Sequence, residues 1–271
     1  MPYRALTALR GLHPTLAALV PALCLMAGCA HTPPSTHTDA LSIPVTRHGD
    51  FGHYTLALTW QPGFCTDQHG PSCQPDQPHA PLIGLHGLWA SRPSDLMREG
   101  LPVTQWWIKG CDIYQHDDTP PQLSPALSKR LSGTVAHTRS SLVTHEYTKH
   151  VQCFGMNAER FFTVASTLRD RFAAGPVGRE LDHDAGRDIS KADVIGLFER
   201  TYGTLPERGL QFRCNTDAQG QPILAQLWFT LDPRGLGRFP AASGFLPSPD
   251  VQDNCPARFH VPTWPVTAQA G

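Results

Sequence analysis

Cysteine content constrains the fold of this chain more than any other feature. The sequence contains eight cysteines, of which Cys24 and Cys29 belong to an N-terminal segment with the pattern of an export signal. The remaining six are spread over the rest of the chain, at Cys65, Cys73, Cys111, Cys153, Cys214 and Cys255. Exported chains oxidise their thiols and six is an even number, so we expect three disulfides, although cysteine number alone leaves their pairing open. No CxxC pair occurs, which argues against a zinc knuckle or a redox motif.

Residues 1–28 predict export. They contain two arginines and no acidic residue, and their apolar run at 16–27 has the length of a signal-peptide core but is too short to span a bilayer. The following Met26-Ala27-Gly28-Cys29 resembles a bacterial lipobox, in which Cys29 becomes the lipidated first residue. Cleavage after Ala30 is the alternative. Either way we expect an exported protein, in the periplasm or anchored to the outer membrane as a lipoprotein.

Charge excludes one broad class of function. Lys and Arg total 22 against 23 Asp and Glu, which gives a formal net charge of −1, and no run of like charges occurs. A protein that coats nucleic acid needs a basic stripe, whereas an enzyme that binds a few nucleotides does not. The hydrophobic content of 40% is enough for a core. We assign 1–28 to the signal, 29–50 to a polar tether, 51–262 to a folded domain and 263–271 to a C-terminal tail.

Hydrophobic periodicity predicts strands and helices that do not alternate regularly along the chain. Strands are predicted at 54–60 and 82–86, and segments 211–215 and 223–231 are predicted to form a hairpin. Helices are predicted from Ser124, over 140–153, from Asn157 and from Ser190. This order favours an α+β fold, in which several α-helices pack on an antiparallel β-sheet.

The first candidate site segment lies at the end of the second predicted strand. There, Leu85-His86-Gly87-Leu88-Trp89 places an imidazole beside a flexible glycine and an indole. A core histidine that packs against a tryptophan is the structural alternative. His86 alone therefore does not identify an activity.

The second segment, Thr144-His145-Glu146-Tyr147-Thr148-Lys149-His150, concentrates ionisable groups on a predicted helix. Glu146 and His150 are four residues apart and lie on one helix face, and Lys149 follows Glu146 by three. A carboxylate, an ammonium and an imidazole can thus project into one site. A solvated helix face with a local ion pair is the structural alternative.

The spacing in this second segment argues against metal catalysis. A zincin carries HExxH, with its histidines four residues apart, whereas His145 and His150 are five apart. Five helical residues leave the two rings about 140° apart, which predicts that they do not bind one ion together unless the helix breaks. We therefore expect no metal and no cofactor, and no GxSxG motif supports a serine nucleophile.

Two histidines, a carboxylate and a lysine suit the cleavage of RNA by its own 2′-hydroxyl group. That reaction needs a base for the 2′-OH proton, an acid for the departing 5′-oxygen, and cations or donors around the phosphorane. The substrate supplies the nucleophile, so the protein does not need one.

The residues in these two segments resemble the active-site motifs of the ribonuclease T2 family. The similar segments are His86-Gly87-Leu88-Trp89, His145-Glu146-x-x-Lys149-His150 followed by Cys153, Leu56-x-Leu58-x-Trp60 with Cys65, and Asn254-Cys255 with Cys214. The resemblance covers residues 51–262, which it identifies as a ribonuclease catalytic domain. It implies a disulfide-stabilised antiparallel sheet packed by helices.

The resemblance also implies the activity and the role of each site residue. The family cleaves single-stranded RNA with low base specificity, through 2′,3′-cyclic phosphates to 3′-phosphate ends, without a metal. The implied roles are His86 as acid, His150 as base, Glu146 and Lys149 as stabilisers of the phosphorane, His145 as a phosphate contact, and Trp89 as a contact for a base or ribose. RNA is the expected partner, with membrane attachment through lipidated Cys29 and no obligate protein partner.

Disulfide pairing follows from the same resemblance, and the sequence departs from the family in two places. The implied pairs are Cys65–Cys73, Cys111–Cys153 and Cys214–Cys255. Ala90 stands where the family usually has proline, and Val151-Gln152 stands where glycine and a small residue usually follow the second histidine. A β-branched residue next to His150 bears on the shape of the cleft. A weakened family member that binds RNA and a metallohydrolase are the alternative functions.

Overall fold

The structure, a computed structural model, describes residues 41–265, so the predicted signal and Cys29 lie outside the described residues. Its strands are β1 (Tyr54–Trp60), β2 (Thr66–Asp67), β3 (Gly70–Pro71), β4 (Ile83–Ala90), β5 (Arg187–Ser190), β6 (Leu210–Thr216), β7 (Pro222–Leu231) and β8 (Arg258–Val261). The main sheet has the order β4-β1-β7-β8-β5, and β6 also pairs with β7. The paired strands of this sheet are antiparallel except β7 and β8, which share a parallel bridge.

Helices pack against this sheet, which confirms the predicted α+β class. They are α1 (Gln61–Phe64), α2 (Ser94–Arg98), α3 (Val103–Lys109), α4 (Pro125–Ser132), α5 (Leu142–His150), α6 (Ala158–Ala173), α7 (Pro176–His183) and α8 (Lys191–Tyr202). Short 3-10 turns lie at Gly110–Ile113, Gln152–Phe154, Leu236–Arg238 and Ala242–Gly244. Within residues 41–265, none of the helices has the length and apolar character needed to traverse a bilayer.

One face of the main sheet is apolar and packs against α6, and the opposite face carries the candidate site. Alternation along β1 places a set of nearly fully buried side chains on one face, namely Tyr54, Leu56, Leu58 and Trp60. Leu56 lies opposite Phe229 of β7, and Phe229 packs against Phe172 of α6 with ring centroids 5.0 Å apart. Since α6 covers this face, the odd-numbered residues of β1 face the other side of the sheet.

Helix α5 is shorter than the predicted segment 140–153. Its first turn is capped by Ser141, whose Oγ accepts a hydrogen bond from the Thr144 N–H at 3.2 Å. The helix ends at His150, because Val151 leaves the helical region with φ −129° and ψ −44°. The 3-10 turn Gln152–Phe154 follows.

Three disulfides hold the domain, and they have the pairing that the family resemblance implied. They join Cys65 to Cys73, Cys111 to Cys153 and Cys214 to Cys255, with Cα atoms 5.0, 5.3 and 5.0 Å apart. The second bridge ties the turn after α5 to the turn after α3. The end of α5 is thus fixed covalently to the rest of the domain.

The predicted tether 29–50 is too long, because its second half packs on the domain. Leu41 and Ile43 are buried in the hydrophobic core. The Thr46 N–H donates a hydrogen bond to the Phe154 carbonyl at 3.1 Å. These two apolar residues stand among polar ones in the sequence, which is why their burial was not predicted. Residues before 51 are therefore part of the packed domain.

The predicted C-terminal tail also begins too early. Trp264 is partly buried, and its ring stacks on that of His79 with centroids 4.7 Å apart. The indole N–H of Trp60 donates to the Pro262 carbonyl at 2.7 Å. Packing on the domain therefore continues past residue 262.

Candidate active site

A β-bulge places His86 in the site. Ala57 of β1 pairs with Gly87, whereas the next residue, Leu58, pairs with Leu85. His86 is therefore the extra residue of β4, and a bulge re-aims the side chain of such a residue away from regular alternation. Leu85 and Leu88 can both face the core on either side of it, while the imidazole of His86 turns toward α5.

Helix α5 places the Glu146 carboxylate against β4. Glu146 is buried, and its Oε1 lies 3.3 Å from Nε2 of His86. Its Oε2 accepts a 2.6 Å hydrogen bond from the indole N–H of Trp89. Gly87 makes this approach possible, since a Cβ there would lie 1.9 Å from Oε2. Both carboxylate oxygens are thus directed at residues of β4, Oε1 at His86 and Oε2 at Trp89.

Glu146 is held in its ionised form. Burial raises its pKa, but the charge and hydrogen bond of His86, the charge of His150 and the hydrogen bond from Trp89 outweigh that effect. The net result is a lowered pKa. A buried carboxylate that stays charged attracts positive charge to its neighbours.

His150 is held in its neutral form. Burial lowers its pKa to about 4, and the positive charges of Lys149, His145 and His86 add to that effect, while Glu146 opposes it. The imidazole packs near the Trp89 ring, with centroids 5.6 Å apart. At neutral pH His150 can therefore accept a proton.

His145 and Lys149 are the remaining predicted site residues of α5, and only His145 lines the cleft. The His145 ring lies 5.9 Å from that of His150, and burial lowers its pKa. His145 lines the cleft together with His86, Trp89 and His150, whereas Lys149 is not among the lining residues. Lys149 therefore reaches the site through its charge, which lowers the pKa values of both neighbouring histidines.

The spacing argument against a shared metal ion is wrong for this site. Ligand atoms of His145, Glu146 and His150 all lie within 4.8 Å of one another, so the three side chains could hold one ion. The helical angle of about 140° describes the Cα positions. His150 is the last residue of α5, and its ring centroid lies 5.9 Å from that of His145. The side chains thus approach each other more closely than the Cα angle suggests.

Val151 does not narrow the cleft. Its side chain is fully buried in the core and does not line the cleft. The departure from the family pattern at this position is thus accommodated inside the domain. Ala90, the other departure, does line the cleft.

The cleft has a volume of about 430 Å³. Several of the residues that line it were not predicted from the sequence. The lining residues that the sequence did not predict include His53, Trp106, Trp107, Arg213, Trp228 and the segment 250–252. Arg213 and Trp228 lie on the sheet face that carries Trp89, since Trp228 pairs with Ala57 and Arg213 with Gln226. Period-two alternation in the predicted hairpin was the signal that could have identified them.

A sequence model described as the ribonuclease T2 family matches residues 51–239, and the chain belongs to that family. It is an endoribonuclease of the ribonuclease T2 type.

Individual relatives agree with this assignment. The chain is 27% identical to "Ribonuclease I" of Escherichia coli (strain K12) over 83% of its own length and 91% of that protein, and 29% identical to a "Ribonuclease" of Aeromonas hydrophila over 45% and 47%. Its fold is similar to RNase NT in complex with 5′-AMP, at TM-score 0.53 and 18% identity, with 79% of this chain and 98% of that chain covered. It is also similar to the SF11-RNase of Nicotiana alata, at TM-score 0.51 and 17% identity, with 77% and 96% covered.

Proposed function

We propose that this endoribonuclease cleaves single-stranded RNA without a metal, by attack of the 2′-hydroxyl on the adjacent phosphate. The products are a 2′,3′-cyclic phosphate and a free 5′-hydroxyl, and hydrolysis of the ring then gives a 3′-phosphate. The observation that carries the proposal is the contrast between the two histidines. His150 has its pKa lowered to about 4, whereas His86 lies 3.3 Å from an ionised carboxylate.

His150 is the base and His86 is the acid in this proposal. A neutral imidazole at His150 takes the proton from the 2′-OH as the new P–O bond forms. His86, whose Nε2 lies 3.3 Å from the Glu146 carboxylate, gives a proton to the 5′-oxygen as the old P–O bond breaks. In the hydrolysis step the roles reverse, because His86 takes a proton from water and His150 returns one to the 2′-oxygen.

The remaining residues stabilise charge and hold the substrate. Glu146 acts through His86, whose ring it orients. Lys149 supplies positive charge to the phosphorane region, and His145 contacts a phosphate oxygen at the mouth of the cleft. Trp89 is partly exposed beside both histidines, so it presents a ring face to a base or ribose.

Cleavage of RNA in excess EDTA tests the proposal. We expect cyclic-phosphate and 3′-phosphate ends at an unchanged rate, because proton transfer by two histidines needs no ion. His86→Ala and His150→Ala should each lower kcat by roughly 10²-fold to 10⁴-fold. Since His145, Glu146 and His150 could hold an ion, loss of activity in EDTA with recovery on adding Zn²⁺ would establish a metallohydrolase instead.

Localisation forms a second, separate proposal. The three disulfides and the similarity to ribonuclease I of E. coli fit an exported protein. We propose that Cys29 is lipidated and anchors the enzyme to a membrane in the periplasm. Cys29→Ala should then move the activity from the membrane fraction to the soluble fraction, with unchanged turnover. Mass spectrometry that finds an unmodified N-terminus at His31 would establish simple cleavage.

A further inference from the structure

Arg213 and Trp228 form a cationic shelf next to the catalytic residues. The Arg213 guanidinium carbon lies 4.9 Å from the centre of the Trp228 ring. Trp228 in turn meets Trp89 edge to face, with centroids 5.1 Å apart. We call Arg213 and Trp228 the shelf pair; both line the same cleft as the two histidines.

The shelf pair is fixed in place by its surroundings. The Trp228 indole N–H donates to the Gln226 side-chain carbonyl at 2.9 Å. One Arg213 N–H donates to the Gln252 carbonyl, so the guanidinium bridges the sheet and the segment 250–252. Gln211, which is buried, accepts a 2.7 Å hydrogen bond from the Gln252 N–H and supports that segment.

Arg213 keeps capacity for another ligand. A guanidinium has five N–H donors and stays charged in proteins. Among the described contacts of Arg213, one hydrogen bond is present, to Gln252. Arg213 is partly buried, and partial removal from water strengthens its attraction for an anion.

Among the described residues, no carboxylate forms an ion pair with Arg213. Burial lowers the pKa of its guanidinium and the charge of Asp253 raises it, but both Asp253 oxygens bond elsewhere, since Oδ1 accepts from Lys191 Nζ and Oδ2 from the Phe212 N–H. Asp250 acts on His53, where its charge opposes the burial that lowers the pKa. Arg213 is thus a cation available at the wall of the cleft.

We propose that Arg213 binds a phosphate of the RNA strand next to the phosphate being cleaved, while Trp228 supports the guanidinium and packs against the ribose. The proposal rests on the proposed cleavage site at His86 and His150, because the shelf pair continues that site through Trp89. An RNA strand with a phosphate beyond the scissile one would gain a charge-assisted hydrogen bond there. A dinucleoside monophosphate, which has only the scissile phosphate, would gain none.

Cleavage of two substrates by Arg213→Gln tests the proposal. For a tetranucleotide we expect KM to rise about tenfold with kcat nearly unchanged, since one charge-assisted contact is lost. For a dinucleoside monophosphate we expect both constants to match the wild type. The slope of log kcat/KM against log salt for the tetranucleotide should shrink by about 0.7, the share of one phosphate on a single strand.

Two further variants separate substrate binding from structural support. Arg213→Lys keeps the charge and should restore part of the KM for the tetranucleotide. Arg234→Gln removes one charge from a side chain that is 94% exposed and outside the cleft lining, and should leave both substrates unaffected. Equal losses on both substrates, or an unchanged salt slope, would overturn the proposal for Arg213. A wild-type enzyme that cleaves neither substrate would instead overturn the proposed cleavage site.

Discussion

At the scale of single residues, one type of side chain is given two opposite roles by its neighbours. Burial and neighbouring positive charges favour the neutral form of His150 at the end of α5. His86 at the bulge of β4 instead lies 3.3 Å from the ionised carboxylate of Glu146. Two histidines in such different surroundings can take different roles in acid–base catalysis.

This arrangement predicts that substitutions of Glu146 and of Lys149 shift the acid limb of the kcat/KM pH profile in opposite directions. The base works only when deprotonated, so kcat/KM of the wild type should fall as pH drops through about 4, the lowered pKa of His150. Glu146 raises that pKa and Lys149 lowers it. Glu146→Gln should therefore move the limb to lower pH, and Lys149→Gln should move it to higher pH. Profiles in which both variants move the limb the same way would contradict the assignment of His150 as base.

Gly87 is predicted to tolerate no side chain. An added Cβ would lie 1.9 Å from Glu146 Oε2 and 2.6 Å from Trp89 Nε1, so Gly87→Ala must displace the carboxylate or the indole. We expect a loss in kcat of about 10²-fold from misplacement of Glu146 and a stability loss of about 1–3 kcal/mol. Gly133→Ala is the matched control, since its nearest contact is 3.6 Å. Equal activity of the two variants would show that the close approach at Gly87 is unimportant.

At the scale of elements, the sequence predicted the features that depend on neighbouring residues alone, such as strand alternation and helix starts. Alternation gave the bounds of β1, and the predicted cap Asn157 accepts a 2.9 Å hydrogen bond from the Arg160 N–H at the start of α6. The predicted strand 82–86 continues to Ala90 because the bulge at His86 restores the alternation beyond it. The sequence could not show this bulge, since it depends on the register with β1.

Long-range pairing explains the parts of the site that the sequence did not reveal. The two motifs identified the histidines and Glu146 because those residue types are rarely grouped by chance. Arg213 and Trp228 belong to ordinary-looking strands, and they become part of the cleft only when β7 pairs with β1. The short strands β5 and β8 were missed because four residues carry too little periodicity.

The Cys111–Cys153 disulfide at the end of α5 is predicted to contribute more to the free energy of unfolding than the Cys65–Cys73 disulfide. Cys111 and Cys153 are 42 residues apart and Cys65 and Cys73 are 8 apart, so loop-closure entropy assigns about 4 kcal/mol to the first bridge and about 2.5 kcal/mol to the second. Replacing both cysteines of each pair by alanine, followed by urea unfolding, measures the two values. A greater loss for the shorter loop would show that native-state effects dominate over chain entropy.

At the scale of the whole molecule, the segment 41–50 that precedes β1 packs against the turn that follows α5. The N–H groups of Thr46 and Arg47 both donate to the Phe154 carbonyl at 3.1 Å. Phe154 directly follows Cys153, in the turn that ends α5. The Arg160 side chain also donates to the Ser42 carbonyl at 2.8 Å. The segment 41–50 thereby connects the turn after α5 to the start of α6.

A chain that begins at residue 51 is therefore predicted to be less stable than one that begins at residue 31. It loses the burial of Leu41 and Ile43, which are 8% and 9% exposed, and complete burial of two such side chains contributes about 3–5 kcal/mol. Thermal and urea unfolding of the two chains measure the difference. Leu41→Ala with Ile43→Ala in the longer chain should reproduce most of the loss, whereas Gly52→Ala, whose nearest contact is 3.8 Å away, should not. The shorter chain should also have a lower kcat, because the turn that positions the end of α5 loses its hydrogen bonds. Identical unfolding midpoints for the chains that begin at 31 and 51 would show that segment 41–50 behaves as the tether that its composition predicts.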